Sequence, residues 1–180
     1  LPTAAYNMTS AVVGTKVYLF GGLSGTGNTY LNTIYVFDTE TNTIEKLSTT
    51  LPSATFGIAA AVVGTKVYLI GGAMSYLSTI NVFDTENNTI TTVANLPRSN
   101  QYSASALIGT RVYLFGGTYS SSKIEVFDIE TYTTETLSTT ISAAYGQVTS
   151  ALIGTKVYLF GGQGTSSGSS CISTIEVFDT

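Results

Sequence analysis

Histidine and tryptophan are absent from these 180 residues, cysteine occurs once, and charged side chains make up only 10% of the chain. Without histidine there is no Ser-His-Asp triad and no His-ligated metal centre. A lone Cys171 cannot form an internal disulfide, so cysteine usage leaves the redox compartment open. Seven Lys and Arg stand against eleven Asp and Glu, a formal net charge of −4. No basic patch exists to displace counterions, which argues against a nucleic-acid partner. The mean hydropathy of +0.28 is apolar for a chain in water. Yet Lys16, Lys66, Arg111, Lys156 and the glycines break every apolar run well short of the ~18 residues of a membrane helix. Strands buried on both faces explain such a composition better. Leu1–Ser10 has neither the basic start nor the apolar core of a signal peptide.

What the chain does contain is a repeat. The phrase at Gly14–Gly22, GTKVYLFGG, returns at Gly64–Gly72, Gly109–Gly117 and Gly154–Gly162, its double glycines spaced 50, 45 and 45 residues apart. A second phrase follows each copy, at Val36–Thr39, Val82–Thr85, Val126–Ile129 and Val177–Thr180. A strand-rich period of this length with glycine punctuation signals a propeller or a similar array.

Residues 51–96 show one repeat in full. Thr55–Val63 is small and apolar and ends at the turn signal Gly64-Thr65. Lys66–Ile70 is β-branched and aromatic and stops at Gly71-Gly72. A polar loop leads to Thr79–Phe83, then to the turn-forming Asp84–Asn88, then to the β-branched Thr89–Val93. Four short strands joined by tight turns make one antiparallel blade, labelled a to d from the inside outward.

The order of small-apolar strand, Lys/Arg-Val-Tyr-Leu-Phe/Ile-Gly-Gly, variable loop, Val-Phe-Asp-Thr and polar hairpin resembles the kelch repeat, and it covers the whole chain in four registers. The resemblance implies an all-β fold, a β-propeller of kelch-like four-stranded blades at approximately 1–50, 51–95, 96–140 and 141–180. Family members usually carry a Trp in the fourth strand. Here Ile44, Ile90 and Thr134 stand in its place, which points to a divergent branch. The last blade stops at Asp179-Thr180, where its hairpin should turn, so its outer strand is missing and its edge is open. Two accounts stand: a segment of a longer propeller, which the reading favours, or copies that associate to complete a ring.

Alternating strand direction sorts the turns onto two faces. Lys16, Lys66, Arg111 and Lys156 in the a–b turns meet Asp38, Glu40, Asp84, Glu86, Asp128, Glu130 and Asp179 in the c–d turns. Exposed pairs of this kind contribute ~0–1 kcal/mol each, so solubility and pairing specificity are their expected role. The opposite face is almost uncharged. Its d–a segments carry Tyr6, Asn7, Phe56, Arg98, Asn100, Gln101, Tyr102, Tyr145 and Gln147, and its b–c loops carry Tyr30, Tyr76 and Tyr119. Tyrosine among Ser, Gly and Asn is the composition of adaptable binding surfaces. Some of these aromatics are expected instead to plug the channel or pack between blades. Arg98 stands out as the single charge in any d–a segment, and its loss with that of Tyr102 is expected to weaken binding while sparing the fold.

Catalysis finds little support. The copper oxidases among kelch-like propellers need His ligands, which this chain lacks. Asp38–Asn42 lacks the central Gly and distal Glu of an EF-hand, so it reads as a turn. Cys171 has no Lys, Arg or His nearby in sequence to activate it, and Gly161–Ser170 has no Lys and precedes no helix, so a phosphate cradle fails. Asn7-Met8-Thr9 and Asn87-Asn88-Thr89 match the N-glycosylation pattern, with Asn87 in an exposed hairpin. The expectation is a non-catalytic scaffold without cofactor or metal, binding a protein or carbohydrate ligand through its Tyr-bearing face. The alternative is a structural repeat protein that self-associates into rings or fibres. Low charge and abundant Thr, Ser, Tyr and Asn suggest an extracellular or cell-surface setting over a cytoplasmic one.

Overall fold

The computed structural model describes residues 1–25, 29–74, 77–117, 121–142, 146–164 and 171–179, and all regular structure among them is β. Blade 1 consists of strands a to d at Thr9–Val13, Lys16–Phe20, Thr33–Asp38 and Thr43–Thr50. Blade 2 has Ala59–Val63, Lys66–Ile70, Thr79–Asp84 and Thr89–Asn95. Blade 3 has Ala104–Ile108, Arg111–Phe115, Lys123–Asp128 and Thr134–Thr140. Blade 4 shows three strands among the described residues, Thr149–Ile153, Lys156–Phe160 and Ile175–Asp179. Every blade is an antiparallel meander in chain order. In the three complete blades the c–d pair carries a bulge at the same place, which adds twist.

Register explains why the apolar phrases read as unbroken runs. Tyr18 lies opposite Ala11 and Val36, whereas Val17 lies opposite Val12 and Phe37. Each strand therefore feeds two apolar faces, a leading one and a trailing one, and at the three junctions between successive blades a leading face meets a trailing one. Blade 1 presents Ala11, Tyr18, Phe20, Ile34 and Val36 to Val67, Leu69 and Phe83 of blade 2. Blade 2 repeats this with Tyr68, Ile70, Ile80 and Val82 against Val112, Leu114 and Phe127. Blade 3 does so with Tyr113, Phe115, Ile124 and Val126 against Val157, Leu159 and Phe178. Each large side chain so buried contributes roughly 1.5–3 kcal/mol. The cores lie between the blades, and hydroxyls fix the inner strands: Ser105 donates to the Ala60 carbonyl at 3.0 Å, and Ser150 to the Ser105 carbonyl at 3.0 Å.

The position that lacks tryptophan is filled in two ways. Ile44 and Ile90 lie directly across from Phe37 and Phe83. In blade 3, where Thr134 is too small to cover Phe127, Tyr132 stacks on that ring with centroids 6.2 Å apart and planes 8° apart.

Strand a of blade 2 begins later than the sequence suggests. Thr55–Ile58 precedes it because the Thr55 carbonyl accepts from Gly22 at 2.8 Å and its N–H donates to Leu31 O at 3.0 Å. The backbone groups that a longer strand would need are already used by blade 1. A small three-stranded sheet, Ala5–Tyr6, Leu23–Ser24 and Thr29–Tyr30, also forms beside blade 1 without any signal in the repeat.

Candidate binding face

The double glycines act as clasps. Gly22 N–H donates to Thr55 O and Gly72 N–H to Asn100 O, each at 2.8 Å, so these two pairs grip the segment that runs on into the next blade. Gly71 has φ +72°, and a Cβ there would sit on the carbonyl of Asn100. Only glycine permits both that dihedral and that approach.

Held by these clasps, the d–a segments place four equivalent residues at the inner mouth: Asn7, Gly57, Tyr102 and Gln147. All four are left-handed, with φ of 55°, 63°, 59° and 54°. Their backbones form a spiral, in which Tyr102 N–H donates to Gly57 O at 2.9 Å and Gln147 N–H to Tyr102 O at 3.2 Å. A non-glycine residue at this dihedral is uncommon, and tyrosine there is a strained choice that the spiral must enforce. With Met8, Thr9, Ile58, Ser103 and Val148 these residues line a cavity of about 260 Å³ that opens outward. It can hold a side chain or one sugar ring, below the usual size of a cofactor pocket.

Beside the mouth lies an aromatic shelf. Tyr30 stacks on Phe56, centroids 5.5 Å apart and planes 29° apart, and Phe56 meets Tyr102 edge-on at 5.6 Å. Tyr6 and Tyr30 are exposed, Phe56 and Tyr102 half-buried. Burial raises the Tyr102 hydroxyl above the usual phenol range, and the neighbouring Tyr30 and Tyr6 add to the rise. Four residues from four segments, distant in sequence, thus form one surface. Gln147 is exposed at its rim and Gln101 is half-buried. Tyr76, Tyr119 and Tyr145 lie outside the described residues.

Two expected contact residues serve the scaffold instead. Asn100 is buried: its N–H donates to Leu77 O at 3.1 Å, its carbonyl occupies the Gly72 clasp, and its Oδ1 is enclosed beside Gly117. Arg98 turns inward, its Nε donating to Glu125 Oε1 at 2.6 Å and its second guanidinium nitrogen to Ser121 Oγ at 2.8 Å. Glu125 is fully buried on the trailing face of blade 3, and Arg98 shields it. Removing Arg98 would strand a buried carboxylate, so it cannot be lost with the fold untouched. Blade 2 uses a different solution at the same place: Ser53 and Asn81 replace Arg98 and Glu125, Asn81 Oδ1 accepts from Thr92 at 2.7 Å, and a cavity of about 50 Å³ is left. The signal for this role was Glu125 itself, a charge inside an apolar phrase.

The opposite face is built of turns. Asp38, Asp84 and Asp128 each accept from two backbone N–H groups in their own c–d turn, including Glu40, Glu86 and Glu130 at 2.9, 2.9 and 3.0 Å. These bonds hold the Asp38 and Asp128 carboxyls below the usual carboxylate range, with the Thr41 and Thr131 amides the largest cause in each case. Arg111 pairs with Glu135 at 3.0 Å and Lys156 with Asp179 at 3.5 Å, all well exposed. The acidic repeat is turn chemistry, and among the described residues no three His, Cys, Asp or Glu gather as a metal cluster.

Repeated meanders stacked face to face, the first two each clasped to the next by a double glycine, define a kelch-type β-propeller architecture. The family model of the KLHDC2/KLHL20/DRC7 kelch-repeats domain matches residues 1–117 and, in an overlapping second placement, 57–180. The chain belongs to the kelch-repeat family, whose domains are in general protein-interaction scaffolds. No individual curated protein matches it.

Proposed function

We propose that the chain is a non-catalytic scaffold that captures an uncharged turn or loop of a protein partner on the shelf formed by Tyr6, Tyr30, Phe56 and Tyr102. The observation that carries this reading is the Tyr30–Phe56–Tyr102 ring contact next to an open cavity of side-chain size. Rigid aromatic area gives contact at little entropic cost, and the half-buried Phe56 and Tyr102 are already ordered. A partner's apolar or aromatic side chain would enter the mouth while its backbone bonds to Gln147, Ser103 and Asn7. The uncharged, hydroxyl-rich surface fits an extracellular or cell-surface setting.

A displayed random-peptide library and an oligosaccharide array, both probed with the purified chain, test the reading. Selected peptides should lose about 2 kcal/mol of affinity, some thirtyfold, when Tyr30 and Phe56 are both changed to Ala. Lys66→Ala on the turn face should leave binding unchanged. Peptides that lose affinity with Lys66→Ala but not with the double change would place the contact on the wrong face. Binding only to oligosaccharides would replace the protein partner with a glycan.

A further inference from the structure

We propose that Asn87, in the c–d turn of blade 2, is an attachment site for an N-linked glycan, and that the other match to the acceptor pattern, Asn7, is not. The proposal rests on the extracellular or cell-surface setting inferred above. Both places read Asn-Xaa-Thr, as Asn87-Asn88-Thr89 and Asn7-Met8-Thr9. The fold treats them differently. Asn87, Asn88 and Thr89 are all exposed. Blade 2 has a neighbour packed on each side, so this exposure belongs to the turn itself. Main-chain groups hold the turn in shape. The Glu86 and Asn87 N–H groups donate to Asp84 Oδ1 at 2.9 and 3.4 Å, and Asn88 is left-handed with φ of 52°. The equivalent turns show how the first and third side chains of the pattern stand. Thr41 and Thr43 in blade 1, and Thr131 and Thr133 in blade 3, hold the places of Asn87 and Thr89, with the same Asp bond and the same left-handed residue between them. In both turns the two hydroxyls are 2.8 Å apart. This turn therefore presents its first and third side chains together at the surface, and in blade 2 that pair is Asn and Thr.

Asn7 is exposed too, but its partner hydroxyl is taken. Thr9 Oγ1 donates to the Ile58 carbonyl of the next blade at 2.8 Å, and Met8 and Thr9 are half-buried where strand a begins. All three residues line the inner mouth, so a glycan on Asn7 would stand over the cavity. One on Asn87 stands on the turn face and leaves the Tyr30 shelf open. The transfer itself is a substitution at the sugar. Nδ2 of Asn87 bonds to the anomeric carbon of an oligosaccharide carried on a polyprenyl diphosphate. The bond from that carbon to the diphosphate oxygen breaks, the diphosphate leaves with the electron pair, and one amide proton passes to a base of the transferring enzyme. Nothing is oxidised or reduced. Donor and enzyme are those of a eukaryotic secretory pathway, and the product is a bulky, solubilising surface group.

Expression behind a cleavable secretory leader in eukaryotic cells, followed by mass spectrometry before and after an amidase that removes N-glycans, tests this. Secreted and retained chains are both scored. The parent should carry a single glycan, and the amidase should leave Asp at position 87. Asn87→Gln and Thr89→Val should each abolish the glycan, whereas Thr89→Ser, which keeps the hydroxyl, should retain it. These substitutions change exposed side chains, so the variants should keep the far-ultraviolet spectrum of the parent. Asn7→Gln should leave the glycan in place. A parent without a glycan overturns the proposal, as does a glycan that survives Asn87→Gln or one found on Asn7. Peptide binding at the Tyr30 shelf is measured separately on chain made without glycans, so a bare Asn87 leaves that reading standing.

Discussion

Arg98→Ala should destabilise the protein by about 2–4 kcal/mol. Breaking a buried ion pair by removing one partner costs roughly 3–5 kcal/mol, because the remaining charge is left desolvated. Here Glu125 is 0% exposed and loses both its 2.6 Å bond and its shield, but the Arg98 side chain is 40% exposed. Water entering the vacated space recovers part of the loss, which sets the estimate toward the low end. Blade 2 supplies the control. Arg98→Ser with Glu125→Asn transplants its Ser53 and Asn81, which the fold already accommodates around a cavity of about 50 Å³. That double variant should lie within about 1 kcal/mol of the parent, since neutral, hydrogen-bonded groups avoid the stranded charge. Urea unfolding followed by circular dichroism, with the slope held fixed, gives each difference. An Arg98→Ala loss below about 0.5 kcal/mol would refute the reasoning, as would a double variant no more stable than the single one.

Gly71→Ala should cost about 2–3 kcal/mol, as its Cβ meets the Asn100 carbonyl, whereas Gly25→Ala, also left-handed but facing open space, should cost about 1 kcal/mol in the same unfolding assay. Acid should destabilise the turn face. The lowered carboxyls of Asp38 and Asp128 give stability that is present above their unfolded value of about 3.9 and is lost as pH falls through the lower folded values. Asp38→Asn with Asp128→Asn should flatten that part of the stability–pH curve. Tyr102 runs the other way: its raised hydroxyl gives stability that is complete below about 10 and fades as pH rises through the folded value. Tyrosinate absorbance should lose one late-titrating component in Tyr102→Phe.

The blades were legible because their signals are local and repeated: an apolar strand phrase, a double glycine, and an Asp-rich turn in the same order each time. What the repeat could not show is which neighbour uses a backbone group. Thr55–Ile58 looks like strand by composition, yet its first carbonyl belongs to Gly22 in the preceding blade. The candidate face was legible in part. Tyr6, Tyr30, Phe56 and Tyr102 do gather, since loops from one end of every blade converge there. Arg98 and Asn100 share that segment but point inward, and only the buried Glu125 and the Gly72 clasp explain why. The four left-handed positions at the mouth follow the repeat spacing. Asn7 and Gly57 suit that conformation, while Tyr102 and Gln147 hide it.

The cores between blades also govern how the molecule comes apart. A meander with a neighbour on each side, as in blades 2 and 3, is fastened twice, while the outer two are fastened once. Opening events should therefore start at the flanks and travel inward, as in other linear arrays of repeats. Amide protons of Val67–Ile70 and Val112–Phe115 should exchange last, and those of Lys156–Phe160 should outlive their neighbours at Ile175–Asp179.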